Sequence, residues 1–175
     1  GLVWGLDNWL HIANGDSGGK LESLQTGEKL NLGSFDLKIR PDSGEMKLSS
    51  GMTQYGRTRD DFGNWFGNNN ATPLWQYVLP NEKLVRNPHV IYPSSVHQVP
   101  KNPRAPRVFP SSKPAPRYNN PVSASHVTSA CGTSLMRDHR LGSSFYGNAF
   151  ICEPVHNLVH RQVLSRKGIT FHGRR

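Results

Sequence analysis

Residues 55–66 read Tyr-Gly-Arg-Thr-Arg-Asp-Asp-Phe-Gly-Asn-Trp-Phe. Tyr55 to Arg59 is a short extended run, Asp60 to Asn64 has the composition of a tight turn, and Trp65-Phe66-Gly67 leaves it. Asp and Asn side chains bond to nearby backbone and Gly accepts positive φ, so the stretch predicts a hairpin. The same grammar recurs outward in both directions. Leu2-Val3-Trp4 and Trp9-Leu10-His11-Ile12 flank Gly5-Leu6-Asp7-Asn8. Asp36 to Arg40 meets Pro41-Asp42-Ser43-Gly44, where Pro presets φ and Gly closes the turn, before Met46-Lys47-Leu48 returns. Further strands are expected at Leu74–Leu79, His126–Cys131, Ser134–Arg137, Ala149–Cys152 and Asn157–Leu164. Glu22 to Leu30 is the one helix candidate, and Gly27 weakens it.

Composition agrees with a chain that mostly turns. Its 175 residues (19.5 kDa) are 35% hydrophobic and include 17 Gly and 13 Pro, enough apolar material for one modest core. No Gly-x-y period or heptad survives, which excludes collagen and coiled coil. No run approaches the roughly eighteen apolar residues of a membrane span. Gly1 to Trp4 reads as folded material and not as a signal peptide.

The formal charge of +9 is unevenly placed. Residues 1–82 carry seven basic and ten acidic side chains, whereas Lys83 to Arg137 holds eight basic residues and no acid. Such a block suits an anionic polymer or surface, or is a solvated loop with its counter-charges elsewhere. Its basic residues alternate with prolines and lack the aromatics on which bases stack, which speaks against nucleic acid. Pro88 to Pro121 contains nine of the prolines and reads as a long basic excursion, residues 88–121, with Val90-Ile91-Tyr92 and Val108-Phe109 as its anchors.

A weak repeat ties the chain together. Asp7-Asn8-Trp9-Leu10, Gly63-Asn64-Trp65-Phe66 and Gly147-Asn148-Ala149-Phe150 each place a turn pair before an apolar strand, with Asn spacings of 56 and 84. Allowing roughly thirty residues for the Pro-rich excursion makes the spacings similar. About four short strands per repeat is the pattern of propeller blades. The expectation is therefore an all-β partial β-propeller over residues 1–175: about three antiparallel blades, completed by blades outside this sequence.

Longer stretches carry a resemblance. Gly1 to Asp16 (Gly-Leu-Val-Trp-Gly-Leu-Asp-Asn-Trp-Leu-His-Ile-Ala-Asn-Gly-Asp) resembles the blade motif of soluble glucose and sorbosone dehydrogenase-like propellers. Thr128-Ser-Ala-Cys-Gly-Thr133, Gly147 to Arg161 and Asp60 to Asn70 resemble a narrower group, the membrane-bound dehydrogenases of planctomycetes and their relatives. That resemblance implies part of a quinoprotein-like sugar or alcohol dehydrogenase, periplasmic or extracellular, free or membrane-associated. Its cofactors would be pyrroloquinoline quinone (PQQ) and calcium, and electrons would pass to a c-type haem domain elsewhere in the protein. Cys131 and Cys152 lie too far apart for Cys-x-x-Cys-His, so no haem is covalently held here. The competing reading is a non-catalytic propeller module that binds carbohydrate or protein, since a fold does not decide a function.

A quinoprotein site needs a base near neutral pKa, cations for the cofactor's carboxylates and oxygen ligands for the metal. His11, His126 and His156, in or beside strands, are the candidate bases, each with a hydrogen-bonded structural role as its alternative. Arg57, Asn68 and Asn69 are the candidate cofactor contacts. Against this, Arg57 and Arg59 precede acids that can pair with them, and Asn68-Asn69-Asn70 suits a turn. Asp7, Asn14 and Asp16 offer oxygens but lack the spacing of a calcium loop and read better as turn caps. Finally, Cys131 and Cys152 sit in short strands. If these strands pair, the Cα atoms come within the about 4.4–6.8 Å of a disulfide. Such a bridge is expected, contributing about 3 kcal/mol, with the oxidising compartment supplied by the resemblance and two free thiols as the alternative.

Overall fold

The computed structural model describes residues 1–92, 94–102, 106–113 and 125–175. Its strands, in chain order, are β1 (Leu2–Trp4), β2 (Leu10–Ile12), β3 (Lys20–Glu22), β4 (Lys29–Asn31), β5 (Asp36–Arg40), β6 (Glu45–Ser49) and β7 (Tyr55–Arg59). These are followed by β8 (Trp65–Asn68), β9 (Trp75–Tyr77), the one-turn helix α1 (Asn81–Leu84), β10 (Val96–Gln98) and β11 (Cys131–Leu135). The last three are β12 (Ala149–Glu153), β13 (Leu158–Lys167) and β14 (Thr170–Arg174).

Among the described residues they form four open antiparallel sheets. The first has the order β1-β2-β5-β6, the second β10-β9-β8-β7, the third β11-β12-β13-β14, and β3-β4 is a two-stranded hairpin. The turns are those that Asp, Asn and Gly dictate. Asp60 Oδ1 accepts the N–H groups of Phe62 (2.9 Å) and Asn64 (2.8 Å), which closes the β7–β8 turn. Asp7 Oδ1 accepts the Trp9 N–H at 3.3 Å in the β1–β2 turn, where Asn8 takes a positive φ of 59°.

Two expectations are corrected by this architecture. Segment 22–30 is not helical: Lys20-Leu21-Glu22 and Lys29-Leu30-Asn31 alternate exposed, half-buried, exposed and pair in register, with Gly27 at φ 72° in the connection. The all-β character holds, but the propeller does not. The sheets stay open, they number four, and the β3–β4 hairpin interrupts the first between β2 and β5. The repeated turn pairs that suggested blades are local hairpin chemistry, which any antiparallel sheet uses and which says nothing of how sheets associate.

Two clusters supply most of the apolar core of the described residues. Phe66, Leu74, Val99, Val108, Val127, Ala130, Leu135, Ala149 and Ile151 fill the space between the second and third sheets. Leu32, Leu37 and Met46, with Ile12, Leu21 and Leu30 packed on them, join the β3–β4 hairpin to the first sheet. β7 and β11 run side by side, and the contact is close because Gly56, at φ 51°, has no side chain. A Cβ there would lie 2.9 Å from the Thr133 nitrogen. Gln76 clips the second sheet to the third by donating to the Ile169 carbonyl (3.0 Å) and accepting from the Phe171 N–H (2.9 Å).

Of the 88–121 excursion, residue 93, residues 103–105 and residues 114–121 lie outside the described residues. Within the described part β10 pairs with β9, and Val99 and Val108 are buried. Of the expected anchors only Val108 is buried; Val90, Ile91, Tyr92 and Phe109 are exposed.

The expected disulfide is also corrected. Cys131 and Cys152 face each other in register across β11 and β12, yet both are free thiols. A register shift follows Cys131, with Gly132 at φ 58°, so β11 is bulged where the bridge was expected. Burial, then the neighbouring Cys152, pushes the Cys131 thiol up and keeps it protonated. The compartment argument built on that bridge goes with it. Among the described residues no helix is long and apolar enough to cross a membrane.

Candidate functional site

A cavity of about 490 Å³ opens between the first and second sheets, with the β13–β14 turn at its rim. Leu6, Asp7, His11, Lys38, Arg57, Trp65, Tyr77, Glu82 and Arg166 are among its lining residues. Its floor is a buried ion pair. Asp36, at the start of β5, is fully buried, and its Oδ2 accepts a 2.6 Å hydrogen bond from Arg57 Nη1 on β7. The same carboxylate accepts from the backbone N–H groups of Asn14 (3.0 Å) and Thr53 (2.8 Å) and from the Thr53 hydroxyl (2.6 Å). Arg57 also donates to the Ser50 carbonyl and to Ser49 Oγ (3.2 Å), while its guanidinium lies 4.8 Å from the Trp65 ring and 4.7 Å from that of Tyr77. The Tyr77 and Thr53 hydroxyls are 2.6 Å apart. Burial, then Asp36, pushes the Tyr77 phenol up to about 12, so it stays neutral.

Above this floor sits the pair Asp7–His11. His11, on β2, is buried and lies against Trp65 with ring centroids 4.1 Å apart and the ring planes tilted by 32°. Its Nε2 lies 3.3 Å from Asp7 Oδ1; a carboxylate only accepts, so Nε2 carries the proton and the unpartnered, buried Nδ1 carries the lone pair. Burial, then Arg57, outweighs the attraction of Asp7 and lowers the imidazole to about 4. Asp7 is held below its ordinary value: partial burial opposes ionisation, but His11 and the Trp9 N–H outweigh it. At neutral pH the pair is a carboxylate and a neutral imidazole. A base with pKa about 4 and a buried lone pair is poorly matched to proton transfer near pH 7.

Of the other charges lining the cavity, Arg166 meets no carboxylate of the described residues, and the rest are paired. Lys38 pairs with Glu82 across the cavity wall, and Arg57 is matched by Asp36. Asp7 has no Lys or Arg within ion-pair distance among the described residues, and its side chain is 46% exposed.

Of the residues singled out in the sequence, the structure brings together His11 and Arg57. Asn68 lies elsewhere on β8, fully buried, with both amide atoms unpartnered. Asn69 accepts the N–H groups of Ala71 (3.1 Å) and Thr72 (2.8 Å) and so builds a turn. His126 is half-buried in an isolated bridge with Arg107. His156 is fully buried, with Nδ1 3.0 Å from Glu153 Oε1; that glutamate also caps the N–H groups of Thr128 (3.2 Å) and Ser129 (2.9 Å). Asp7 was readable only as a turn cap, although its position four residues before His11 across a hairpin turn was a usable signal. Asp36, Trp65, Lys38 and Glu82 carry no local signal, since their partners are distant in sequence.

This arrangement does not fit a quinone or its metal. Arg57 is 3% exposed and its two terminal nitrogens are spent on Asp36, Ser49 and Ser50, so it offers no fork to a cofactor carboxylate. Among the described residues no three His, Cys, Asp or Glu side chains converge as metal ligands.

A family model described as "Domain of unknown function (DUF7133)" matches residues 1–175. The chain belongs to the DUF7133 family. No curated protein and no solved structure matches it. The resemblance to dehydrogenase propellers is corrected by the architecture, which among the described residues is a small all-β domain of four open antiparallel sheets. The quinoprotein dehydrogenase reading falls with the closed ring and the ligand cluster it required.

Proposed function

We propose that this domain is a ligand-binding module whose inter-sheet cavity takes a small molecule bearing a primary amine. The observation that carries this reading is the uncompensated Asp7 carboxylate, ionised and half-exposed at the wall of a cavity of about 490 Å³. Glu82 in the lining already has its cation in Lys38, and the neutral His11 fixes the orientation of Asp7 without cancelling its charge. Trp65 is not a free platform for a sugar ring, because His11 and Arg57 already lie against it. An ammonium group satisfies the unpaired carboxylate at this wall, and a charge-assisted hydrogen bond contributes about 1.5–3 kcal/mol.

Calorimetric titration with n-propylammonium and the shape-matched 1-propanol tests this. The amine is expected to bind about 10–100-fold more tightly than the alcohol, and Asp7→Asn to erase the difference. Gly5→Ala is expected to do the same with the charge retained, because its Cβ would stand 2.1 Å from Asp7 Oδ1 and 2.8 Å from His11 Nε2 and push the flexible carboxylate aside. Equal binding of amine and alcohol, or unchanged amine binding by Asp7→Asn, defeats the reading.

A further inference from the structure

A second cavity, about 180 Å³, lies between the second and third sheets, and its walls differ in kind from those of the first. Phe66, Leu135, Met136, Leu164 and Phe171 make it mainly apolar, with Phe66 and Phe171 meeting edge to face at 5.4 Å. An apolar cavity of about 150 Å³ holds one benzene ring and stays dry without it. The volume therefore suits a single ring-sized group and is below the range of drug-sized ligands.

The charges at the mouth decide what that ring should carry. Asp60 spends both oxygens on its own turn, accepting from Phe62, from the Asn64 backbone and from Asn64 Nδ2 (2.6 Å). Asp61 is paired with Arg137, whose Nε donates to it at 2.6 Å. Arg166 is left over. Its Nε donates to the Gly168 carbonyl at 3.1 Å and its guanidinium lies 5.9 Å from the Phe171 ring centroid, but no carboxylate of the described residues meets it. The Gly168 contact fixes the inner edge of the planar fork, which leaves the terminal nitrogens for an anion. We infer that this cavity is a second binding site, for a small aromatic carboxylate: ring among Phe66, Leu164 and Phe171, carboxylate on Arg166.

Fluorine NMR of the whole chain with 4-fluorobenzoate and the neutral isostere 4-fluorobenzamide tests the inference. The benzoate signal should shift and broaden at millimolar concentration, with the benzamide at least about tenfold weaker. Arg166→Gln, a change at an exposed side chain, should bring benzoate down to the benzamide level, while Asp7→Asn in the other cavity leaves both unchanged. Leu164→Phe should fill the space and abolish both. Should that variant misfold, intermolecular NOEs from the bound ring to Phe66 and Phe171 in the natural sequence take its place. Absence of benzoate binding, equal affinities for the two probes, retention of benzoate by Arg166→Gln, or NOEs to other residues overturns the proposal.

Discussion

Asp36 and Arg57 meet at 2.6 Å between β5 and β7, with side chains 0% and 2% exposed. The pair joins the first sheet to the second beneath the larger cavity, and its two members are unequally supported. Asp36 keeps three other donors, two backbone N–H groups and the Thr53 hydroxyl, whereas Arg57 keeps one carbonyl and one hydroxyl and has an unpartnered Nε. Removing one partner of a buried pair costs about 3–5 kcal/mol because the other charge is stranded. Asp36→Ala is expected to lose that much in urea denaturation, and Arg57→Met to lose less. A loss below about 1 kcal/mol for Asp36→Ala, or the reverse order, contradicts this account.

Gly67 on β8 controls the same region by having no side chain. A Cβ at this position would lie 2.8 Å from Trp75 Nε1, 2.9 Å from Thr53 Oγ1 and 2.9 Å from the Tyr77 hydroxyl. The last two are bonded to each other at 2.6 Å, so an added methyl drives into a made contact. Gly67→Ala should destabilise by about 1–3 kcal/mol, the usual cost of overpacking, and the denaturation midpoint reads it directly. A neutral effect means the Trp75–Tyr77 wall yields more than a packed interior should.

What was legible in the sequence was whatever the chain decides within a few residues. The hairpins β1–β2, β5–β6 and β7–β8 follow from Asp7-Asn8, Pro41 to Gly44 and Asp60 to Asn64, because turn chemistry is local. The association of the sheets is not local. Gln76 reaches Ile169 and Phe171 more than ninety residues away, and no spacing of turn pairs encodes that contact. The same limit explains the site. His11 and Arg57 were recognisable as residue types suited to chemistry, but the partners that determine their behaviour, Asp36 and Trp65, come from other strands. With the cysteines, the two residues do face each other in register, but Cys131 opens β11 and does not end a strand from residue 127, and the bonding was not readable, since it depends on the bulge and on burial.

Those cysteines give a chemical test. Both thiols should titrate with a disulfide reagent before any reductant is added, in two phases. Cys152 is exposed and should react fast; Cys131 is partly buried, and burial raises its pKa, so its thiolate fraction is smaller and its reaction slower. Cys152→Ser should remove the fast phase alone. A chain that shows no free thiol until reduced would restore the bridge that the structure lacks.

Acid should weaken this fold in a window set by two histidines. His11 and His160 are both buried and both lowered from 6.5 to about 4, His11 by burial and then Arg57, His160 by burial and then Arg175. Their unfolded forms take up a proton near 6.5 while the folded forms do not until about 4, so between these values the unfolded state binds more protons. Stability therefore rises with pH across the window; it is fully present above about 6.5 and is lost progressively as pH falls toward 4. Each histidine contributes a slope of at most about 1.4 kcal/mol per pH unit. Asp7 acts in the same direction but lower. Its pKa is depressed from 3.8, so its contribution is present above that value and is lost only as pH falls below it. Urea denaturation at intervals from pH 7 to pH 4 should show the decline beginning near 6.5, and His11→Gln or His160→Gln should each remove about half of the slope. A flat stability from pH 6.5 to 4.5 would mean that neither imidazole is held neutral by the interior that encloses it.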